Sequence, residues 1–547
     1  MLLIALLCIH SGMVYLNAQD PGIRVPSGFK ATVIADNLGR ARAIAVRENG
    51  DIYLSLLRHV DLNYLAALRD TDGDGAMDMI KYFGEVGSMV KSIRIYNGYL
   101  YVGATTQVVR YQLTEGELLP QSLYEVIVTG FPPPRSHGSK NIDFDDSGHL
   151  YVAAGAPSNS CQELDRTEGS PGKTPCDELS WGAGIWKFDA HQLNQKQLED
   201  GELIATGIRN AVGIDYDSEK GELYTVSNGR DNLNQNWGQF FNDRESAEKP
   251  AEEFQLVRRG MDFGWPYVYY DQERKSHMVN PEYGGDGTQE VEEGIYEKPI
   301  YAFPGHWAPV GLQFYNADQF PERFKGGAFI VFHGSWNRAP LPQQGYNVVF
   351  IPFDGKHPSG DYEVFADGFK GTEMLMTPAS SKYRPTGITV GPDGSLYLSE
   401  DTTGRIWKVE YTGETEVVFD NFQSSSRAAT NPAPQGNVSE LQLDPRGLEL
   451  YNQYCLACHQ VDGSGVPNMQ PSLIGSAKLG DDTHILKLML LGSDWISDRE
   501  YTNVMTTFSY LSDEDIAIIL NYSKARFSQS SPTITPEKVA QLRATLN

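Results

Sequence analysis

One motif recurs six times between residues 25 and 412 and limits what this chain can fold into: a short alternating strand, a turn, then a glycine leading a second hydrophobic strand. The copies begin with Ala43-Ile44-Ala45-Val46 and Gly50-Asp51-Ile52-Tyr53, Ile93-Arg94-Ile95 and Gly98-Tyr99-Leu100-Tyr101, then Ile142-Asp143-Phe144 and Gly148-His149-Leu150-Tyr151. They continue with Gly213-Ile214-Asp215-Tyr216 and Gly221-Glu222-Leu223-Tyr224, Gly311-Leu312-Gln313-Phe314 and Gly327-Ala328-Phe329-Ile330, and Gly387-Ile388-Thr389-Val390 and Gly394-Ser395-Leu396-Tyr397. A period of two marks half-buried strands. A single hairpin cannot bury both faces, but sheets packed radially can, so the expectation is an all-β six-bladed β-propeller. Loss of even spacing after residue 225 keeps a β-sandwich open as the competing arrangement.

A second feature sets the C-terminal part apart. Tyr454-Cys455-Leu456-Ala457-Cys458-His459 carries the Cys-x-x-Cys-His spacing that attaches a c-type haem. Two thiols on one helical turn reach both vinyl groups of a porphyrin, and the adjacent histidine becomes the proximal iron ligand. Gly447 and Tyr451 lie one turn upstream on a common helix face. Ser512, followed by Asp513-Glu514-Asp515, reads as a helix N-cap, with Ile516, Ile519, Leu520 and Tyr522 as the apolar stripe behind it. This region resembles a class I cytochrome c. The resemblance implies that Gly447 permits close crossing of the last helix and that Pro471-Ser472-Leu473 packs over the proximal histidine. It also implies that Met505 is the sixth ligand opposite His459, with Met469, Met489 and His484 read as packing residues. A small all-α cytochrome c domain over 444–527 is expected, with a tail at 528–547 in which Pro536 to Leu546 can form a short helix.

Cys455 and Cys458 being taken by haem, and Cys8 lying in an apolar leader, Cys161 and Cys176 remain in a Gly/Ser/Pro-rich loop. A disulfide between them is expected, which needs an oxidising compartment. Residues 1–18 resemble a signal peptide cleaved after Ala18, although no positive charge precedes the apolar run. No later run is long enough for a transmembrane span. Haem attachment outside the cytoplasm points to export as well, so the expected location is the periplasm. A net charge of −26 argues against nucleic acid as a partner, since its phosphates would be repelled. Residues 413–443, with Ser424-Ser425-Ser426, Pro432 and Pro434, read as a linker.

Four constellations in the propeller carry chemistry. Arg135-Ser136-His137-Gly138-Ser139-Lys140-Asn141 precedes the third inner strand, and Gly207-Ile208-Arg209-Asn210-Ala211-Val212-Gly213 opens the fourth. Asn228-Gly229-Arg230-Asp231 forms a corner, and His306-Trp307, His333-Gly334-Ser335-Trp336-Asn337-Arg338 and Arg384-Pro385-Thr386-Gly387 sit at further strand starts. Together they resemble the soluble-type quinoprotein sugar dehydrogenases, especially the sorbosone/pyranose dehydrogenase branch, six-bladed propellers that hold pyrroloquinoline quinone (PQQ) and calcium in the central funnel. The resemblance implies His137 as general base, which suits a neutral imidazole, and Arg209 and Asn210 on the quinone oxygens, where a guanidinium steadies developing negative charge. Ala211 replaces the family's usual proline. Gly229, Arg230 and Asp231 would offer oxygens to calcium. Arg135, Trp336, Arg338 and Arg384 would meet PQQ or substrate, by stacking or bidentate pairing with a carboxylate. Separately, Asp70, Asp72, Asp74 and Asp78 follow calcium-loop spacing, although Lys81 stands where a bidentate Glu would close the loop.

The sequence thus points to a periplasmic oxidoreductase that takes electrons from a small sugar or aldehyde at PQQ and calcium and passes them to its own haem c. A downstream acceptor of the respiratory chain would follow. The rivals are a calcium-dependent lactonase-like hydrolase, which leaves the haem unexplained, and a non-catalytic carbohydrate-binding propeller that brings the haem to a surface or partner.

Overall fold

A computed structural model describes residues 21–86, 90–132, 136–138, 140–413, 445–455, 459, 463, 472–492, 505, 508–509, 511–528 and 533–546. The expected signal peptide at 1–18, residues 414–443 of the expected linker, Arg135, Cys458, Met469 and Pro471 lie outside the described residues. The chain divides into two compact units, one built of strands and one C-terminal and helical.

The strand unit is a six-bladed propeller. Its inner strands are Ala41–Val46, Val90–Tyr96, Lys140–Phe144, Ala211–Asp217, Pro309–Phe314 and Pro385–Val390, and each neighbours the next, with the sixth returning to the first. The six repeats seen in the sequence are the innermost hairpins of the six sheets. Blades two and three carry a fifth short strand in parallel. Spacing is lost after residue 225 because blade four holds an insertion between Glu252–Val257 and Tyr301–Phe303, with its own hairpin Val268–Asp271 and Ser276–Val279. That insertion is what made a sandwich look tenable.

The ring closes through strand Phe29–Ala35, which pairs antiparallel with Ile406–Tyr411 and completes blade six from the other end of the domain. Phe29 enters an aromatic cluster, its ring centroid 4.8 Å from Phe320 and 5.0 Å from Phe365. Adjacent blades are clamped by side chains on one inner strand that accept from the next. Ile142 N donates to Ser92 Oγ (3.1 Å), Tyr216 N to Asp143 Oδ2 (2.7 Å) and Phe314 N to Asp215 Oδ2 (2.7 Å). Ser399 Oγ donates to Arg42 O (3.1 Å), linking blade six to blade one. Buried donors and acceptors need such partners, so the clamps fix register as well as contact.

In the helical unit, Pro445–Tyr454 crosses Asp513–Ser523. Gly447 makes the crossing possible, since a Cβ there would lie 2.7 Å from Tyr522 Cβ. Ser512 caps the second helix through Asp515 N, and Ile516, Ile519, Leu520 and Tyr522 are buried as the periodicity required. The tail does not stand apart. Helix Pro536–Leu546 buries Val539, and Arg543 Nε donates to Asp513 Oδ1 (2.8 Å). No helix among the described residues is long and apolar enough to cross a membrane.

Two stability outcomes follow from this packing. Phe29→Ala removes the aromatic edge of the closing strand and should destabilise the propeller by about 2–4 kcal/mol, read as a lower denaturant midpoint; an unchanged midpoint would mean that closure does not depend on it. Gly447→Ala sets about 1 kcal/mol of helix propensity against an overpacking penalty of about 1–3 kcal/mol. Net loss is expected, seen as a lower thermal midpoint of the haem absorption in the loaded chain.

Candidate active site at the channel mouth

All six inner strands run in the same sense around the channel, so their first residues ring one mouth. Side chains there cross-link the blades: Asn141 Nδ2 donates to Ala211 O (2.9 Å), Asn228 Nδ2 to Pro309 O (3.0 Å) and Thr386 Oγ1 to Ala41 O (3.2 Å). Residues predicted from separate motifs are thereby brought to one rim.

His137 adopts a left-handed backbone (φ 46°), unusual for a residue with a Cβ. Gly155 makes room for it, because a Cβ on Gly155 would lie 2.6 Å from His137 O. His137 Nδ1 stands 2.8 Å from Ala156 O. A carbonyl only accepts, so Nδ1 carries the proton and Nε2 the lone pair. Burial first, then the charge of Arg209, push its pKa down to about 3. The imidazole is neutral and its tautomer is set.

Arg209 is almost fully buried and makes four hydrogen bonds. Its Nη2 donates to Asp231 Oδ2 (2.8 Å) and Asn159 Oδ1 (2.9 Å), its Nη1 to Gly229 O (2.6 Å) and its Nε to Asn159 O (3.1 Å). Asp231 also accepts from Arg166 Nη2 (2.9 Å) and Asn337 Nδ2 (2.6 Å). Burial raises the Asp231 carboxyl, yet Arg209 and then Arg166 outweigh it and hold the group far below the usual carboxylate range. Asn210 Nδ2 donates to Asn228 Oδ1 (2.9 Å). Asn159 is the hub that sequence reading missed. Fully buried, it accepts from Arg209, Asp231 N and Trp265 Nε1 and donates to Asp231 O (3.0 Å). Its loop is closed by the expected Cys161–Cys176 disulfide. Buried Glu252, also missed, accepts from Gly229 N and Ala308 N (both 3.0 Å), and burial pushes its pKa up to about 8.

The remaining expectations fare unevenly. The Gly229–Asp231 corner does not suit calcium as arranged. Gly229 O accepts from Arg209, Asp231 O accepts from Asn159 and Arg230, and the Asp231 carboxylate serves two guanidinium groups. A divalent cation wants uncommitted oxygens and surplus negative charge, which the bonded oxygens of Gly229 and Asp231 do not offer. Arg230 itself pairs with buried Glu282. Arg338 is buried and donates to Ala247 O (2.7 Å), Gly305 O (3.1 Å) and Glu248 Oε1 (2.6 Å), so its guanidinium staples loops together instead of facing a cofactor. Arg384 Nη2 bonds His333 Nδ1 (2.9 Å) and Gly334 O (2.7 Å), and His333 Nε2 meets Asp401 Oδ2 (3.2 Å). Trp336 is 55% exposed and lies on the same loop as Asn337. In the acidic loop, Asp70, Asp72 and Asp74 converge to within 4.8 Å. Asp78 turns away to accept from Thr71 N (2.9 Å), so the ninth position leaves the expected set.

The channel itself is lined by Arg42, Lys91 and Arg94 with Ser92, Asn141 and Thr386. Arg94 pairs with Asp143 (3.3 Å). Arg42 is 8% exposed, and neither its guanidinium nor the Lys91 ammonium has a hydrogen-bond or ion-pair partner among the described residues. Burial, then Arg42, push Lys91 down to about 8, and burial, then Lys91, do the same to Lys140 beside it. Asp401 attracts Arg42 from beyond ion-pair distance; buried cations whose charge is not balanced at contact suit an anionic, carboxylate-bearing cofactor such as PQQ. In the helical unit, Cys455 N bonds Tyr451 O (2.8 Å) and His459 N bonds Cys455 O (2.9 Å). The thiol and imidazole therefore stand one helical turn apart, as a covalent haem with a proximal histidine requires.

Comparison with known proteins agrees with this division. The TrAA12-like family matches residues 23–412 and the cytochrome c family residues 445–524. The PQQ-dependent pyranose dehydrogenase of Coprinopsis cinerea is 27% identical over 261 residues, 42% of this chain and 34% of that protein. The fructose dehydrogenase cytochrome subunit of Gluconobacter japonicus is 29% identical over 230 residues, 39% of this chain and 44% of the other. The chain thus spans a third to a half of the length of these curated relatives. Among solved structures, the holo PQQ domain of the Coprinopsis cinerea enzyme superposes with a TM-score of 0.58 at 19% identity, covering 71% of this chain and 97% of that domain. A Trichoderma reesei carbohydrate-active enzyme of family AA12 gives 0.59 at 18%, covering 72% and 99%. With most of its length matched and the propeller and haem motif both in place, the chain belongs to the TrAA12-like family and carries a C-terminal cytochrome c domain.

Proposed function

We propose that the protein is an exported, periplasmic PQQ-dependent sugar dehydrogenase that oxidises an aldose or related sugar or aldehyde at the channel mouth and delivers the electrons to its own haem c. The observation that carries the reading is His137: neutral, fixed by Ala156 O, and in electrostatic reach of Arg209, Arg166 and Asp231. Bound PQQ would supply a two-electron, hydride-accepting carbonyl, which no amino-acid side chain offers. His137 Nε2 takes the proton of the substrate hydroxyl, and Nδ1 keeps its own proton on Ala156 O throughout. Arg209, immobilised by four bonds, presents a fixed positive charge beside the base. It opposes protonation of His137 at rest and favours negative charge developing nearby. Asn159 and the disulfide-closed loop hold that guanidinium still. Calcium has no assigned step, given the donor set at Gly229–Asp231. In the second domain His459 and Met505 are the proposed iron ligands, with Cys455 and Cys458 as attachment points. A covalent tether would make electron transfer intramolecular, at effective concentrations on the order of mM.

The apoprotein reconstituted with PQQ should reduce its haem when an aldose is added, followed by haem absorption, and PQQ omission should abolish this. His137→Ala should lower the reduction rate by about 10²–10⁴-fold without altering the haem spectrum. Full activity in that variant would remove His137 from the base role.

The pH profile gives an independent check. Because the folded pKa of His137 lies at about 3, well under the ordinary 6.5, the base form persists as pH falls through 6 and 5. The acid limb of kcat/KM should therefore be absent near pH 6.5; a limb centred there would show that an ordinary exposed histidine carries the proton.

A further inference from the structure

The mouth holds more positive charge than its carboxylates balance, and the imbalance is localised. On blade four, Arg209 is neutralised by Asp231. On blade six, Arg384 is bonded to the His333 ring and two carbonyls, with Asp401 close by through His333. On blades one and two, Arg42 and Lys91 line the channel, electrostatically coupled to each other; Asp401, already shared with Arg40 and His333, attracts Arg42 from beyond ion-pair distance, and no carboxylate among the described residues lies within ion-pair distance of either. Burying one guanidinium without a partner is costly, and placing an ammonium beside it adds like-charge repulsion. Such a pair is tolerated where a ligand brings the missing negative charge.

We propose that Arg42 and Lys91 form an anion seat that takes a carboxylate group, and that the seat lies across the channel from Arg209. The quinone's own carboxylate is the favoured source, so this rests on the reading above. Blade one stands opposite blade four in a ring of six, so a flat anion seated on Arg42 and Lys91 would extend toward the His137 and Arg209 side. Arg42 would pair through its planar fork and Lys91 as a point charge. Neither residue was legible as a ligand, because an arginine and a lysine on alternating strands read as solvent-facing.

The test uses the full haem-loaded chain without PQQ. PQQ binding is measured by isothermal titration calorimetry for the wild type, Arg42→Gln, Lys91→Gln and the double variant, alongside citrate as a free tricarboxylate and the PQQ trimethyl ester. Each single change should weaken PQQ about tenfold and the pair on the order of a hundredfold, while the ester binds poorly and no longer distinguishes the variants. Thermal midpoints provide a second readout. Removing mutually repelling, unpaired charges should leave the ligand-free midpoint unchanged or higher, whereas residues with a merely structural role would lower it. Equal PQQ affinity in all four proteins overturns the seat and leaves the dehydrogenase reading standing. Wild type that binds citrate through these residues but not PQQ keeps the anion seat, overturns its assignment to the quinone and sinks the dehydrogenase reading.

Discussion

Strand Phe29–Ala35 pairs with Ile406–Tyr411, nearly four hundred residues later, and this one antiparallel pairing turns six separate sheets into a closed circle. Without it, blade six would present an open edge and the inner strands would have no common axis. With it, the starts of those strands meet at one rim, and residues as remote as Arg42, His137, Arg209 and Arg384 share a mouth. The inter-blade clamps then fix how far each strand slides. Asp143 and Asp215 accept backbone N–H groups of the following blade, so a shift of one residue would strand a buried carboxylate as well as a donor.

At the rim, charge is distributed by blade. One carboxylate, Asp231, bonds two guanidinium groups, and Asn159 adds its own hydrogen bonds to the same cluster. The result is a densely hydrogen-bonded wall on blades three and four, where a reacting group needs fixed surroundings. On blades one and two, Arg42 and Lys91 have no hydrogen-bond or ion-pair partner among the described residues. Rigidity on one side and unmet charge on the other give the mouth a direction.

The inner hairpins were legible because their signals are local: a period-two strand, a turn glycine and a second strand within about fifteen residues. The outer strands were not, since bulges and insertions separate them from the repeat, as in blade four. The site follows the same rule. His137, Arg209 and the cysteine pair sit in motifs whose neighbours in sequence are also neighbours in space. Arg338 looked equally well placed, but the acid that claims it, Glu248, comes from a segment far along the chain. Asn159 lies in a loop without periodicity, so nothing in the sequence marked it as a hub. Gly447 could be read correctly because its partner, Tyr522, belonged to a stripe visible in the last helix.

A chain with a net charge of −26 should repel a carboxylate-rich ligand at a distance, yet inside the channel such a ligand would meet Arg42 and Lys91, which have no ion-pair partner among the described residues. The two effects act on different scales. Surface charges are screened beyond about 8 Å at physiological ionic strength, whereas Arg42 and Lys91 act at contact range in a partly buried channel where the dielectric is lower. Long-range repulsion bears on how often an anion arrives and weakens with salt. Local attraction bears on how long it stays, and salt reaches it far less. An acidic exterior around a basic mouth can therefore load an anionic cofactor slowly and still retain it, while leaving an uncharged sugar free to enter and leave.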